Sequence, residues 1–395
     1  MIYRRLSGKL SEAARQFPIV VLTGPRQSGK TTLARAVFAD LPYLSLESPA
    51  DRRRALDDPR GFLADLPLGG IIDEIQHAPD LLSYLQGVVD LGPRAARWVL
   101  TGSQNLMMLR SVSQSLAGRA ALLELSPFSY RELVDAGRAP SDLWEALWRG
   151  CYPPLYDRDV SPADWLGSYV ATYVERDVRQ ILNVTDLATF QTFVALVAGR
   201  TGQLVNLSQL GSDAGISHNT ARGWLSVLET GFICFRLQPF FRNLGKRLTK
   251  TPKLHFFDTG LVCYLLGIRT PAELKQHPLR GAVFETWLAS EVRKSHVEAG
   301  VRPDLTFFRD QHGLEVDLLV RNGAHTALVE AKSGATVAPD AFESVERVAE
   351  ILGRDPLGAP KTDKIVVHGG AERFTFREAV ALPWREAAAK DWLAP

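Results

Sequence analysis

The sequence predicts an α/β protein that is built from several structural units. Three patterns support this prediction. They are an apolar strand, a glycine-bounded loop and a helix over residues 18–38, a helix pair with strand-like segments over 206–240, and two strand patterns around an Asn-Gly pair over 313–334. With 395 residues, the chain is long enough for more than one hydrophobic core.

The composition is typical of a globular protein. Hydrophobic residues make up 46% and charged residues 23%, and a formal net charge of +2 does not by itself indicate a nucleic-acid partner. Cys151, Cys234 and Cys263 form no CxxC pair, so we expect neither a zinc site nor a disulfide framework. A cytoplasmic location without a membrane partner is expected, because no signal-peptide pattern or membrane-length apolar run occurs.

The first pattern contains the loop GPRQSGKTT, which matches GxxxxGK[ST]. Glycines let backbone N–H groups wrap around a phosphate, and the following helix N-terminus favours negative charge. Lys30 would reach the outer phosphates, and the Thr31 hydroxyl would ligate Mg²⁺. ATP and Mg²⁺ are therefore the expected cofactors, and the expected contact residues are Gly24, Pro25, Arg26, Gln27, Ser28, Gly29, Lys30, Thr31 and Thr32.

Two later strands end in polar residues that suit the same chemistry. "GGIIDE" ends in Asp73, which can hold Mg²⁺, and in Glu74, which can orient or deprotonate water. "RWVLTGSQN" ends in Ser103 and Gln104, which can hydrogen-bond the terminal phosphate or the attacking water. The alternatives are a strand that runs into a helix cap and a plain turn, and the functional interpretation is favoured for both.

Arg119 lies just before the strand-like "AALLEL". An arginine in this place can project into a neighbouring subunit's nucleotide site and stabilise phosphoryl charge. It can equally be a helix C-terminal cation beside Gly118. The residues alone leave the two alternatives even.

The order of loop, "IIDE", "TGSQ" and "LAGR" resembles that of AAA-type (AAA+) ATPases. It is most similar to prokaryotic members whose C-terminal domain of unknown function ends in a nuclease-like fold. "GCYP" at 150–153 and "TYVERDVRQ" at 172–180 look like that family's linker signatures. The resemblance covers essentially the whole chain. It implies a P-loop core over 1–135 with a helical lid over 136–200, Arg119 as an inter-subunit finger, and a ring-like homo-oligomer such as a hexamer.

The segment over 136–200 has helical periodicity and many aromatic residues, which are expected to pack rather than to bind a ligand. Its charges Glu175, Arg176, Asp177 and Arg179 are spaced for a helix surface. A salt-bridge set is favoured, and Arg176 as a lid arginine at the nucleotide is the alternative.

A winged helix is predicted over 201–272. The second helix has Ala221, Trp224, Leu225 and Leu228 at core spacing. DNA is the favoured partner, because residues that suit phosphates and base edges lie on the face of this helix opposite its core residues, and a basic wing follows. A protein partner is the alternative. The exposed set is Ser217, His218, Asn219, Thr220 and Arg222, and the basic set is Arg242, Lys246, Arg247, Lys250 and Lys253.

The third pattern folds as a hairpin with Asn322 and Gly323 at its tip. In that register Glu315 lies opposite Glu330, a like-charge pair that a bound cation would relieve. The polar face would carry Glu315, Asp317, Leu328, Glu330 and Lys332, and the core face Leu314, Val316, Leu318, Val320, Ala327, Val329 and Ala331.

The spacing D-x(12)-E-x-K resembles the PD-(D/E)xK nucleases, although Val316 replaces the usual proline. The helix pattern "GAVFETWLASEVRKS" supplies Glu285, which matches the helix glutamate of that superfamily. A nuclease-like domain is therefore expected over 273–395, with Glu285, Asp317 and Glu330 as metal ligands and Lys332 at the attacking water. A nuclease fold without activity and a solvated hairpin are the alternatives.

Together these patterns predict a Mg²⁺-dependent ATPase that acts on DNA and carries a metal-dependent nuclease domain. A non-nucleolytic ATP switch, whose C-terminal half docks DNA or a protein, is the alternative. A transcription regulator that uses only the winged helix is a third hypothesis.

Overall fold

The computed structural model describes residues 2–91, 97–103, 116–174, 186–240, 250–354 and 360–394. The chain divides into two compact units. The first contains Met1–Phe128, Thr230–Phe232 and Val297–Val301, and the second contains Ser129–Glu229, Ile233–His296 and Arg302–Pro395. No helix in the described ranges is both long enough and apolar enough to cross a membrane.

The first unit is built around a five-stranded parallel sheet, whose strands lie in the order β2-β3-β4-β1-β5. The strands are β1 (Ile19–Thr23), β2 (Tyr43–Ser45), β3 (Gly69–Asp73), β4 (Arg97–Thr101) and β5 (Ala120–Glu124). The helices are α1 (Ser7–Gln16), α2 (Lys30–Val37), α3 (Pro49–Asp57), α4 (Pro59–Ala64) and α5 (Leu81–Leu91), and a 3-10 turn covers Ile75–His77.

Both faces of this sheet are covered, which explains its nearly uninterrupted apolar strands. Ile19 and Val21 point into one core cluster, and Val20 and Leu22 point into the other. The carboxyl ends of all five strands lie at one edge of the sheet. This edge therefore collects the polar residues that end β3 and β4.

The helices that follow belong to the second unit. They are α6 (Tyr130–Asp135), α7 (Leu143–Arg149), α8 (Pro154–Asp157), α9 (Pro162–Tyr169) and α10 (Leu187–Ala198), with a π-helical turn at Val170–Val174. Tyr152, Trp165 and Tyr169 pack against one another with ring centroids 4.9–5.2 Å apart, as expected for these aromatics. The charged set Glu175, Arg176, Asp177 and Arg179 lies outside the described residues.

A helix pair and a small antiparallel sheet come next. The helices are α11 (Leu207–Asp213) and α12 (His218–Thr230), and the strands are β6 (Gln203–Leu204), β7 (Cys234–Pro239) and β8 (Lys253–Phe256). The four core residues expected on α12 are buried. Ser217, His218, Asn219 and Arg222 are exposed, and Thr220 is half-buried.

The predicted basic wing is only partly described, and one of its members was assigned wrongly. Residues 241–249, with Arg242, Lys246 and Arg247, lie outside the described ranges. Lys250 is exposed. Lys253 is 2% exposed, because it lies on β8 and its side chain points into the second unit rather than towards solvent.

The remaining elements extend β6–β8 into a nine-stranded mixed sheet, ordered β13-β14-β12-β11-β10-β9-β7-β8-β6. The added strands are β9 (Leu305–Arg309), β10 (Glu315–Asn322), β11 (His325–Lys332), β12 (Lys361–His368), β13 (Phe374–Phe376) and β14 (Ala379–Pro383). The helices are α13 (Thr259–Leu265), α14 (Pro271–Gln276), α15 (Arg280–Glu298), α16 (Asp340–Gly353) and α17 (Trp384–Ala389).

The hairpin of β10 and β11 forms, but the predicted tip is wrong by one position. Asn322 pairs with His325, so the two turn residues are Gly323 and Ala324. Gly323 supplies the positive φ of 61° that the turn needs. Asn322 stays in the strand, where its side-chain amide donates to the Trp392 carbonyl at 2.6 Å.

This change shifts the register by two residues. Leu318 faces Val329, which places Glu330 beside Asp317 rather than opposite Glu315. The predicted separation into a polar and an apolar face is also wrong. The pairing of β10 with β9 is irregular between Val316 and Leu319, and Leu328 packs with both in one core cluster.

Candidate nucleotide site and carboxylate cluster

The loop between β1 and α2 requires glycine at both ends. Gly24 has a φ of 143°, and a Cβ there would lie 2.1 Å from the Leu125 carbonyl oxygen. Gly29 has a φ of 91° and caps α2 in the left-handed region. The loop therefore closes against the end of β5, and its backbone turns into a helix N-terminus of the kind that binds phosphate.

Lys30 is 5% exposed and points back into the loop. Its Nζ donates to the Gly24 carbonyl at 3.0 Å and to the Pro25 carbonyl at 2.7 Å. Burial lowers the pKa of Lys30 to about 8, although the nearby Glu74 and Asp73 carboxylates act in the opposite direction. The buried Ser28 hydroxyl has no hydrogen-bond partner among the described residues, which suits a ligand with acceptor oxygens.

Thr31 and Asp73 meet at the carboxyl edge of the sheet, as the sequence predicts for a Mg²⁺ site. The Thr31 hydroxyl lies 3.0 and 3.1 Å from the two Asp73 carboxylate oxygens. Two further hydroxyls, from Tyr43 at 2.9 Å and from Thr101, donate to the same carboxylate. A hydroxyl and a carboxylate side by side are ligands that Mg²⁺ prefers, so these residues fit that ion.

The sequence reasoning missed Tyr43 and Thr101. Thr101 could have been found, because it ends the strand that immediately precedes Ser103. Tyr43 could not, since its contact with Asp73 depends on which strand lies beside β3.

Glu74 has a left-handed backbone with a φ of 56°, an uncommon conformation that often marks functional positions. Ser103 donates to its carboxylate at 3.4 Å, and Gln76 also donates to it. The structure thus brings Glu74 and Ser103 together beside Asp73. Gln104 lies outside the described residues.

Arg119 forms a two-pronged ion pair within its own chain. Its Nε lies 2.6 Å from Asp90 Oδ1, and its Nη2 lies 2.9 Å from Asp90 Oδ2. The Arg119 side chain is 32% exposed. The Arg119 side chain is therefore accessible to solvent, but it must release Asp90 before it can bind another anion.

Arg4 is a loop-supporting residue that the sequence reasoning missed. It is 7% exposed and donates to the Ser28 carbonyl at 2.7 Å and to the Ser126 carbonyl at 2.6 Å. Its guanidinium also lies 4.8 Å from the centre of the Phe128 ring. Arg4 therefore ties the phosphate loop to the segment after β5. A basic residue near the start of a chain carries no sequence signal for this role.

The second unit contains a cluster of carboxylates around Lys253, which we call the carboxylate cluster (Glu285, Glu315, Asp317 and Glu330). Lys253 Nζ lies 2.8 Å from Glu285 Oε1 and 3.2 Å from Asp317 Oδ1, and it also pairs with Glu315. Burial alone would lower the pKa of Lys253, but Asp317, Glu285 and Glu315 outweigh it and raise the pKa above its ordinary value.

Within the carboxylate cluster, Glu330 pairs with Lys332. Lys332 Nζ lies 2.6 Å from Glu330 Oε1, and the Lys332 side chain is 43% exposed. Asp317 also accepts from the Ala331 backbone N–H at 3.0 Å. Burial, together with Asp317, raises the pKa of both Glu285 and Glu330, which limits the negative charge that the cluster can hold.

The structure brings the predicted metal ligands Glu285, Asp317 and Glu330 together, but it places a lysine among them. In the described ranges, no group of three or more His, Cys, Asp or Glu side chains is arranged to hold a metal ion. The Lys253 ammonium takes an oxygen of Glu285 and an oxygen of Asp317 that such an ion would need. The residues present therefore do not fit the metal that a PD-(D/E)xK nuclease would require.

Three segments of the chain match known protein families. Residues 16–134 match the AAA domain family, which confirms the predicted AAA-type P-loop ATPase core. Residues 140–272 match a domain of unknown function (DUF8612), and residues 280–387 match another (DUF4143).

Among solved structures, a Walker-type ATPase of Pyrococcus abyssi shares 16% identity with a TM-score of 0.47, covering 67% of this chain and 96% of that chain. This likeness is too weak to assign any residue. Uncharacterized proteins of Mycobacterium tuberculosis and Mycobacterium bovis are 34% identical over 383 residues, which is 95% of this chain and 82% of each relative. In this chain an AAA domain is followed by two domains of unknown function, and the chain belongs to the same family as these mycobacterial proteins.

Proposed function

We propose that the chain is a Mg²⁺-dependent ATPase whose nucleotide site lies at the carboxyl edge of the first unit's sheet. The contact between the Thr31 hydroxyl and the Asp73 carboxylate carries this proposal. These oxygens lie next to the loop that turns into α2, and their chemistry supports a role as Mg²⁺ ligands. Lys30, on the same turn, supplies the positive charge for the outer phosphates.

Each side chain has a distinct task in this proposal. Lys30 exchanges its two loop carbonyls for phosphate oxygens, and Thr31 and Asp73 hold Mg²⁺, which offsets the phosphate charge when it is bound. Glu74 accepts a hydrogen bond, and then a proton, from the attacking water. Ser103 holds the Glu74 carboxylate in place through its 3.4 Å contact.

In this proposal, Arg119 reaches the nucleotide site of a neighbouring subunit within a ring-like homo-oligomer. This role needs a second subunit. The exposed edge of the Arg119 side chain supports this role. Asp90 holds the guanidinium when no nucleotide competes for it. A neighbour's terminal phosphate, with more charge and more oxygens, is a stronger partner than one carboxylate.

The magnesium requirement tests this proposal. ATP hydrolysis, followed as released phosphate, should be measurable with Mg²⁺ and absent with EDTA. The variant Thr31→Val should need more Mg²⁺ for the same rate, because it removes one ligand and keeps the side-chain shape. As a matched control, Thr192→Val on α10 should behave as the native protein. If the rate of ATP hydrolysis changes neither with EDTA nor with the substitution Thr31→Val, the proposed site is excluded.

For the second unit, the arrangement favours DNA binding without cutting. His218, Asn219 and Arg222 are exposed on α12, Ser217 is exposed just before that helix, and Lys250 is exposed near β8. Such side chains suit contacts with phosphates and base edges. The sequence predicts a nuclease. DNA cleavage by this unit would need a metal ion among the carboxylates that hold Lys253. We therefore propose a DNA-binding scaffold, and cutting is the alternative that the experiment must separate.

Binding and cutting can be measured on the same samples of linear, circular and single-stranded DNA, with Mg²⁺ or Mn²⁺ and with or without ATP. Arg222→Ala should weaken binding and reduce its salt dependence by about one unit of slope. The matched control Arg354→Ala, at the exposed arginine that directly follows α16, should not. Cleavage that is lost in Asp317→Ala and Lys332→Ala would establish the nuclease alternative instead.

A further inference from the structure

We infer that the ammonium group of Lys253 is the permanent cation of the carboxylate cluster. On this inference the native cluster takes no divalent cation, and removal of the Lys253 side chain converts it into a divalent-cation site. The inference concerns only the second unit and does not depend on ATP hydrolysis by the first.

The contacts of Lys253 are those of a cation at the centre of a coordination group. Three carboxylates converge on its Nζ from two different elements, Glu285 from α15 and Glu315 and Asp317 from β10. The face of the Phe307 ring on β9 lies 5.4 Å from the same atom. Arg309 pairs with the second oxygen of Glu315 at 2.9 Å, so positive charge also reaches the outer side of the group.

The position of Lys253 makes this arrangement permanent. Its strand β8 is hydrogen-bonded on both sides, since Lys253 pairs with Leu204 of β6 and with Leu237 of β7. The side chain is 2% exposed, so it reaches solvent only if the groups packed around it move and its carboxylate partners are lost. Lys332 contrasts with it, because its side chain is 43% exposed and is free to leave Glu330.

A divalent cation and this ammonium cannot share the cluster. Mg²⁺ binds oxygen at about 2.0–2.1 Å, and the oxygens of Glu285 and Asp317 already lie 2.8 and 3.2 Å from Lys253 Nζ. A second cation among them would stand next to a buried positive charge. Of the three predicted ligands, Glu285 and Asp317 are therefore paired with Lys253. Glu330 pairs through Oε1 with Lys332, and its buried Oε2 has no hydrogen-bond partner among the described residues.

Mn²⁺ titration of the nucleotide-free protein, followed by the electron paramagnetic resonance signal of free Mn²⁺, tests the inference. The native protein and Asp317→Asn should bind the same number of ions. Lys253→Ala should bind one more, and the double variant Lys253→Ala with Asp317→Asn should lose it again. Mn²⁺ should also raise the melting temperature of Lys253→Ala by more than that of the native protein, because it replaces the missing positive charge.

The matched control is Lys294→Ala. Lys294 is buried in the same unit and lies 2.7 Å from Glu291, away from the cluster. This variant should gain no Mn²⁺. A folded Lys253→Ala without an extra ion would overturn the inference. So would a native protein that loses a Mn²⁺ site on Asp317→Asn, a comparison that remains decisive even if Lys253→Ala does not fold.

Discussion

Replacing Lys30 by alanine is expected to abolish ATP binding. Lys30 is the buried cation of the phosphate loop, and its two present acceptors are loop carbonyls that a phosphate can replace. Loss of two charge-assisted hydrogen bonds of about 1.5–3 kcal/mol each lowers affinity by roughly 100-fold or more. Isothermal titration with ATP and Mg²⁺ measures this loss.

The pH dependence of binding provides a second signature of the same lysine. The pKa of Lys30 is lowered to about 8, mainly by burial, so above that pH its free form is largely neutral. Phosphate needs the charged form and therefore raises this pKa on binding, so binding takes up a proton. Affinity should be flat just below pH 8 and then fall by up to about tenfold for each pH unit above it.

Lys9→Ala is the matched control, because Lys9 is a lysine of the first unit that pairs with Glu12 on α1. It should keep both the affinity and the pH profile of the native protein. Titrations in buffers of different ionisation enthalpy should detect the proton uptake above pH 8 both in the native protein and in Lys9→Ala. Unchanged affinity in Lys30→Ala would refute the loop assignment.

Replacing Glu74 by glutamine is expected to stop hydrolysis and to leave ATP binding in place. Glutamine keeps the shape and an acceptor oxygen for Ser103, but it cannot accept a proton from water. Loss of a positioned general base typically lowers the rate by about 10²–10⁴-fold. Phosphate release in a single turnover and ATP titration, measured on the same preparation, separate the two effects.

Glu12→Gln, on α1, is the control for this change and should hydrolyse ATP at the native rate. A Glu74→Gln variant that fails to bind ATP would give Glu74 a structural role in the loop region. A variant that hydrolyses at the native rate would move the catalytic base elsewhere.

Much of the nucleotide site could be predicted from the sequence, because its signals are local. Gly24, Gly29, Lys30 and Thr31 lie within one loop and one helix turn, and their conformations follow from residue type and spacing. Asp73 was predictable as well, since parallel strands end at a common edge. Arg4, which is far from the loop in the sequence, was not.

The register of the β10–β11 hairpin could not be predicted from local sequence. Its two strands and the apolar character of their residues were predictable, but the register depended on contacts outside it. The Trp392 carbonyl keeps Asn322 in the strand, and the irregular pairing with β9 places Val316 and Leu319 in one core. A turn shifted by one position changes every facing pair.

The sequence by itself determined that this chain has a phosphate loop with an acidic strand end, a helix pair, and carboxylates grouped near a hairpin. Only the tertiary structure decided what those carboxylates bind. Lys253 is far from Glu285 and Asp317 in the chain, and its spacing favoured a surface wing. Instead, β8 pairs between β6 and β7, and Lys253 is buried. Because a buried ammonium is stable only beside carboxylates, the fold brings Lys253 into contact with Glu285 and Asp317.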